Sequence, residues 1–195
     1  MNTDIILSGV GGQGILSIAT IIGSAAISEG LYIKQAEVHG MSQRGGDVQS
    51  NLRISSSPIN SDLIPLGKAD IIISLEPMEA LRYLPYLRKD GWLITNTTPF
   101  VNIPDYPETD KIMEALKALP HQVSLDVDSI AREAASPRAA NIVLLGAAAP
   151  FLGIAEDKIE KAIRDIFSRK GEQVVNMNLT AFRAGLEFAK KQAEI

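Results

Sequence analysis

The residues best equipped for chemistry lie in one segment, Glu37-Val38-His39-Gly40-Met41-Ser42-Gln43-Arg44-Gly45-Gly46-Asp47. Arg44 carries a permanent charge on a planar fork that suits a carboxylate or a phosphate. His39 can carry or donate a proton near neutrality, and Ser42 and Gln43 add orienting hydrogen-bond groups. Gly40, Gly45 and Gly46 let a ligand or another chain come close to the backbone. A run of this composition has little preference for helix or strand and reads as a functional loop between two strands. His39 and Arg44 are its candidate catalytic residues; Gly40, Ser42, Gln43, Gly45 and Gly46 are candidate cofactor contacts. A plainer reading stays open, in which Arg44 pairs with Glu37 or Asp47 and stiffens the loop, and His39 makes a structural hydrogen bond.

A second glycine-rich loop precedes it. Gly9-Val10-Gly11-Gly12-Gln13-Gly14 follows the apolar run Asp4–Ser8 and leads into another apolar stretch, so Gly9, Gly11 and Gly14 fit G-x-G-x-x-G in strand–turn–helix context. Gly9, Gly11, Gly12, Gln13 and Gly14 are candidate contacts for an anionic cofactor at the start of a helix. Glu37, 23 positions past Gly14, can accept from a ribose hydroxyl. The same glycines also serve tight strand–helix packing with no nucleotide bound.

The elements that must position these loops follow from periodicity. Apolar runs predict strands over 3–8, 31–37, 47–54, 70–75, 91–96 and 122–127. Helices are expected over 14–29, ending at Gly30, then over 76–87, 108–118, 139–149 and 156–169. A last helix, capped by Asn176 or Asn178, aligns Leu179, Phe182, Leu186 and Ala189 on one face. Pro77 suits a first helical turn and Pro85 should bend or end that helix. The segment 139–149 is apolar all round and must be buried, in the fold or at an interface. Alternating strands and helices with no low-complexity linker predict a single α/β domain, Rossmann-like and doubly wound around a mostly parallel sheet.

Composition removes several function classes. A net charge of −4 without a basic cluster leaves no electrostatic footprint for nucleic acid. The chain has no cysteine, so it can hold no disulfide, thiolate-bound zinc or iron–sulfur cluster of its own. His39 and His121 lack ligand neighbours at metal spacing, and no metal site is expected. The apolar stretch 15–27 is too short to span a bilayer, and no signal peptide is visible, so no membrane contact and a cytoplasmic location are expected.

The pairing of GVGGQGI with EVHGMSQRGGDV resembles the gamma-type subunit of 2-oxoacid:ferredoxin oxidoreductases, and HGMSQRGG is similar to the indolepyruvate type in particular. The resemblance covers the whole chain, which implies that 1–195 is one gamma-type catalytic domain. It implies CoA-dependent oxidative decarboxylation of a 2-oxoacid, indolepyruvate or another aryl pyruvate, to an acyl-CoA, carbon dioxide and reduced ferredoxin. Thiamine diphosphate and iron–sulfur clusters would belong to a larger alpha subunit, ferredoxin would be met through the complex, and this chain alone would bind no cofactor and be inert. Coenzyme A would enter in the assembled complex. Two other readings of the residues stand beside it: a stand-alone NAD(P)-binding Rossmann oxidoreductase, and a purely structural subunit.

Overall fold

The computed structural model describes residues 1–39, 45–101 and 103–194, and of His39 the backbone. Its sheet holds β1 (Asn2–Val10), β2 (Tyr32–His39), β3 (Asp47–Ser55), β4 (Ala69–Ser74), β5 (Leu87–Asn96) and β6 (Gln122–Leu125) in the order β2-β3-β1-β4-β5-β6. β1, β4, β5 and β6 are parallel, while β3 runs antiparallel to both β1 and β2. The expected Rossmann-like arrangement therefore holds for the centre and one side, with a single reversed strand inserted on the other. The continuous apolar runs of β1 and β4 are what a strand buried on both faces requires: Ile5, Ile6, Leu7 and Ile72 have no exposed surface.

Among the described residues, seven α-helices cover the two faces: α1 (Ile15–Ser28), α2 (Pro77–Arg82), α3 (Thr109–Lys117), α4 (Val127–Ala134), α5 (Ala140–Ala148), α6 (Glu156–Phe167) and α7 (Glu172–Gln192). The larger core lies under α1, α4, α5, α6 and α7; the smaller joins Ile6, Ile72 and Leu93 to α2 and α3 through Ala80, Tyr83, Ile112 and Leu116. Helix α1 ends as the glycine pattern predicts. Gly30 takes φ 74°, its N–H donates to Ile27 O, and Leu31 N–H donates to Ala26 O, which satisfies the last carbonyls.

Three expectations need correction. The helix over 76–87 stops at Arg82 and gives way to a 3-10 turn, Leu84–Tyr86, because Pro85 has no N–H to continue the ladder. Helix α4 was not anticipated from the periodicity; Asp126 caps it by accepting from Ser129 N at 2.9 Å. Helix α7 starts at Glu172 after Gly171, so Asn176 and Asn178 lie inside it. Asn178 is buried there and donates to Val174 O at 2.8 Å instead of capping.

The apolar segment proves to be core. In α5, residues Ile142 to Ala148 are all buried, and the helix lies against α7 with backbone nearly touching backbone. A Cβ added at Gly146 would sit 1.9 Å from Phe182 O, and one at Gly185 would sit 1.9 Å from Val143 O. Replacing Gly146 by Ala is expected to force the helices apart, costing about 2 kcal/mol and lowering Tm by roughly 4–8 °C in a calorimetric scan. Gly23→Ala in α1, whose Cβ would meet only Ile33 Cδ1 at 3.4 Å, should leave Tm unchanged or higher.

Candidate functional site at the switch between β1 and β4

Neighbouring strands β1 and β4 send their following helices to opposite faces, α1 onto the larger core and α2 onto the smaller. That divergence opens a crevice at their carboxyl ends, the usual place for a ligand in an open α/β sheet. Its walls are the loop 11–14 and the turn at Leu75 and Glu76.

The first loop is locked by one side chain. Gln13 Oε1 accepts from Val10 N at 2.7 Å, and Gln13 Nε2 donates across the crevice to Leu75 O at 3.2 Å. Gly9 makes room for that amide, since a Cβ there would lie 2.8 Å from Gln13 Oε1. Gly14 has φ 90° and faces Asn141 of α5, whose Nδ2 donates to Gly14 O at 3.2 Å and would stand 2.7 Å from an added Cβ. No side chain caps the first turn of α1, and a Cβ at Gly12 would meet nothing within 4 Å. The glycines of the fingerprint thus act in packing at positions 9 and 14, while position 12 leaves the backbone open.

The second loop connects β2 to β3 and arrives at the same end of the sheet. Gly11 N donates to Gly46 O at 2.9 Å, and Gly45 N donates to Gly11 O at 3.4 Å. These two bonds join the glycine loops. His39 closes β2 opposite Val48, and Gly40, Ser42, Gln43 and Arg44 lie outside the described residues, as does the His39 side chain. Glu37 lies on β2, with β3 between it and β1. Two strand spacings, about 9–10 Å, separate its strand from the first loop, so the neighbour relation that lets an acid read a ribose beside G-x-G-x-x-G is lost.

An acid cluster lies where the start of β3 meets α2, with Glu76 and Glu79 buried and Asp47 partly so. Glu76, fully buried, caps α2 by accepting from Glu79 N at 2.8 Å. Its other oxygen accepts from Phe100 N at 3.2 Å and from the Tyr106 hydroxyl. Asp47, the first residue of β3, accepts from Tyr83 Oη at 2.6 Å. Glu79, 3% exposed, adjoins Asp47 and has Arg82 Nε 2.8 Å from its Oε2. Burial first, then the charge of Asp47 and a hydrogen bond with it, push the Glu79 carboxyl up to about 7. Burial and the bond to Asp47 likewise push the Tyr83 phenol up. Among the described residues no group of three or more His, Asp or Glu is arranged to hold a metal ion, and no helix is long and apolar enough to cross a membrane.

Residues 4–188 match the pyruvate ferredoxin/flavodoxin oxidoreductase family. The chain belongs to that family. It is 39% identical over 197 residues to indolepyruvate oxidoreductase subunit IorB of Archaeoglobus fulgidus, covering 95% of this chain and 94% of that protein. The gamma subunit of a keto/oxoacid ferredoxin oxidoreductase from Geobacter sulfurreducens has the same fold, with TM-score 0.70 and 27% identity over 97% of this chain and 99% of that one. A 2-oxoglutarate:ferredoxin oxidoreductase of Magnetococcus marinus, solved with 2-oxoglutarate, coenzyme A and succinyl-CoA bound, shares the fold at TM-score 0.78 and 22% identity. This chain covers only 31% of that longer one.

In this family member, Gly11, Gly45 and Gly46 come together through backbone bonds, Gly9 and Gly14 serve packing, and Gln13 is spent on holding the first loop. Sequence reasoning took Asp47 only as a possible partner of Arg44 and assigned no site role to Glu76, Glu79, Tyr83, Tyr106 or Asn141. A partial signal existed: Glu76 and Glu79 are three apart at a helix start, which puts both on one face. Nothing local, however, distinguishes a buried acid from the solvated acids common in a first turn.

The raised Glu79 carboxyl has a consequence for stability. The folded chain keeps a proton that the unfolded chain releases near 4.5, so this contribution is full below 4.5 and is lost as pH rises to about 7. The difference in unfolding free energy between wild type and Glu79→Gln should therefore shrink by about 3 kcal/mol across that window and stay flat above it. Denaturant melts of both proteins at several pH values provide the check, and parallel stability curves would contradict the assignment.

Proposed function

We propose that this chain is the small subunit of an indolepyruvate-type 2-oxoacid:ferredoxin oxidoreductase, and that its second glycine loop reaches the shared active site of the complex. The observation that carries the proposal is the near full-length match to IorB of Archaeoglobus fulgidus, set beside a glycine loop held at the carboxyl ends of the parallel strands. The reaction is oxidative decarboxylation of an aryl 2-oxoacid with coenzyme A, giving an acyl-CoA and carbon dioxide while the electrons pass to ferredoxin. Thiamine diphosphate and the clusters belong to a larger alpha subunit; a cysteine-free chain has no thiolates to offer a cluster. When bound there, the thiamine group supplies the carbanion chemistry of decarboxylation.

The chain's own contribution is positional. Arg44 binds an anion, the substrate carboxylate or a coenzyme A phosphate, through its fork. His39, Ser42 and Gln43 orient the bound group, and Gly40, Gly45 and Gly46 admit it to the backbone. The first loop, through Gly11, fixes the base of the second, and the open backbone at Gly12 and the uncapped start of α1 offer N–H groups to an anion. The 1–195 span acts as one gamma-type domain, which works in the cytoplasm as part of the complex and is inert alone.

Co-expression with the neighbouring genes should yield a coloured complex that oxidises indolepyruvate only with coenzyme A. Within it, Arg44→Lys should lower kcat/KM about ten- to hundredfold, because a point charge cannot copy two charge-assisted hydrogen bonds. Unchanged kinetics would remove Arg44 from the proposal. A colourless chain that binds NAD(P)H would replace the whole reading.

A further inference from the structure

At the carboxyl end of the sheet, two side-chain amides join the turns that follow the parallel strands. Asn96, the last residue of β5, is 3% exposed. Its Oδ1 accepts from Thr98 N and from Val127 N, each at 3.2 Å, so it holds the turn after β5 to the first residue of α4. Its Nδ2 faces three oxygens: Leu75 O at 3.3 Å, Thr98 O at 3.4 Å and Asp128 Oδ2 at 3.5 Å. Two N–H groups on one side of the amide and three oxygens on the other fix which atom is which. The nitrogen has two N–H groups to give. Leu75 O, the nearest acceptor, takes one, and the other two oxygens share the second.

Leu75 O is also where Gln13 Nε2 ends, at 3.2 Å. That carbonyl therefore receives one amide from the first glycine loop and one from β5. The row Gln13, Leu75, Asn96 reaches from the turn after β1, past β4 and β5, to the start of α4. Leu75 N donates to Ser8 O at 3.0 Å, which continues the ladder with β1 and leaves the carbonyl to the two amides. Leu75 and Asn96 are both buried, so bulk water does not replace a missing donor.

We propose that Asn96 is a positioning residue of the site: by donating to Leu75 O it braces the crevice wall on which Gln13 seats the first glycine loop. Asn96 itself lies behind that wall, on the β5 side of β4. The role rests on the function proposed above, because the first loop in turn fixes Gly46 through Gly11. A residue that served only the turn after β5 would act through Oδ1, whereas the brace acts through Nδ2. The two roles separate according to which half of the amide is changed.

Asn96→Asp keeps an acceptor for Thr98 N and Val127 N and removes the donor to Leu75 O. Combined with Asp128→Asn, it still leaves one amide facing one carboxylate, so the swap adds no repulsion between acids. In nitrogen-15 spectra of the full chain, the swap should shift the Gln13 side-chain amide and the Gly11 amide, while the Thr98 and Val127 amides stay protected from hydrogen exchange. Gln13 and Gly11 signals identical to wild type overturn the brace. Gln13→Glu removes the other donor from the same carbonyl and should shift the Asn96 side-chain amide; an Asn96 signal that does not respond overturns the brace even where the swap fails to fold. In the assembled complex, the swap and Gln13→Glu should each lower kcat/KM for indolepyruvate about tenfold. Together they should lose far less than the product of the separate losses, because both act on one carbonyl. Losses that multiply overturn the shared role. A complex with no 2-oxoacid activity sinks the proposed function instead, and the spectra of the chain by itself then decide the brace.

Discussion

The insertion of β3 between β1 and β2 is the constraint on which the rest of the site depends. A strand that pairs antiparallel with β1 must begin where β1 ends, so the connection from β2 is delivered to the carboxyl end of the parallel strands. The ladder runs without interruption from Asn2 opposite Ser55 to Val10 opposite Asp47, and the bonds between Gly11 and Gly45–Gly46 extend it past the last strand residue. Register in such a pair is strongly specified, because a slip of one residue would turn Val48, Leu52 and Ile54 out of the larger core and take Asn51 from its buried place opposite Ile6 into it. Gly45 and Gly46, which end the second loop, are thereby tied to one of the most buried strands of the molecule.

The same insertion changes what the first fingerprint can do. In a dinucleotide fold the turn after the first strand keeps its N–H groups for a pyrophosphate and the next parallel strand brings an acid to the ribose. In this chain Val10 N is taken by Gln13 and Gly11 N by Gly46, and the acid-bearing β2 is displaced to the edge by β3. Tight packing and ligand access are separate demands that the G-x-G-x-x-G spacing does not distinguish. Gly9 and Gly14 answer the first demand, against Gln13, Ile15 and Asn141, whereas Gly12 is bounded by open space.

Much of the fold was legible because its signals are local. The strand 70–75 and the α7 stripe of Leu179, Phe182, Leu186 and Ala189 follow from composition and period alone, and Gly30 ends α1 because αL backbone is cheap only there. The direction of β3 was not legible, since an alternating strand reads alike in either sense. The start of α7 was missed because two asparagines looked like caps, although one is buried and bonds back along the helix. At the site, the motif residues of both loops could be nominated by type, whereas Asp47, Glu79 and Tyr83 meet only through tertiary contact between β3 and α2. Their role depends on burial, and burial is a property of the whole fold.

That burial also explains why two glutamates three residues apart behave differently. Glu76 accepts from the Glu79 N–H in its helix's first turn, from the Phe100 N–H and from a phenol, so both its oxygens have donors. Glu79, also buried, has beside it the Arg82 guanidinium and the charge of the partly buried Asp47. Removing a carboxylate from water without hydrogen bonds costs several kcal/mol, and retaining the proton avoids most of that cost. The nearby guanidinium of Arg82 does not reverse the balance, because its half-exposed charge is screened by solvent and burial outweighs it.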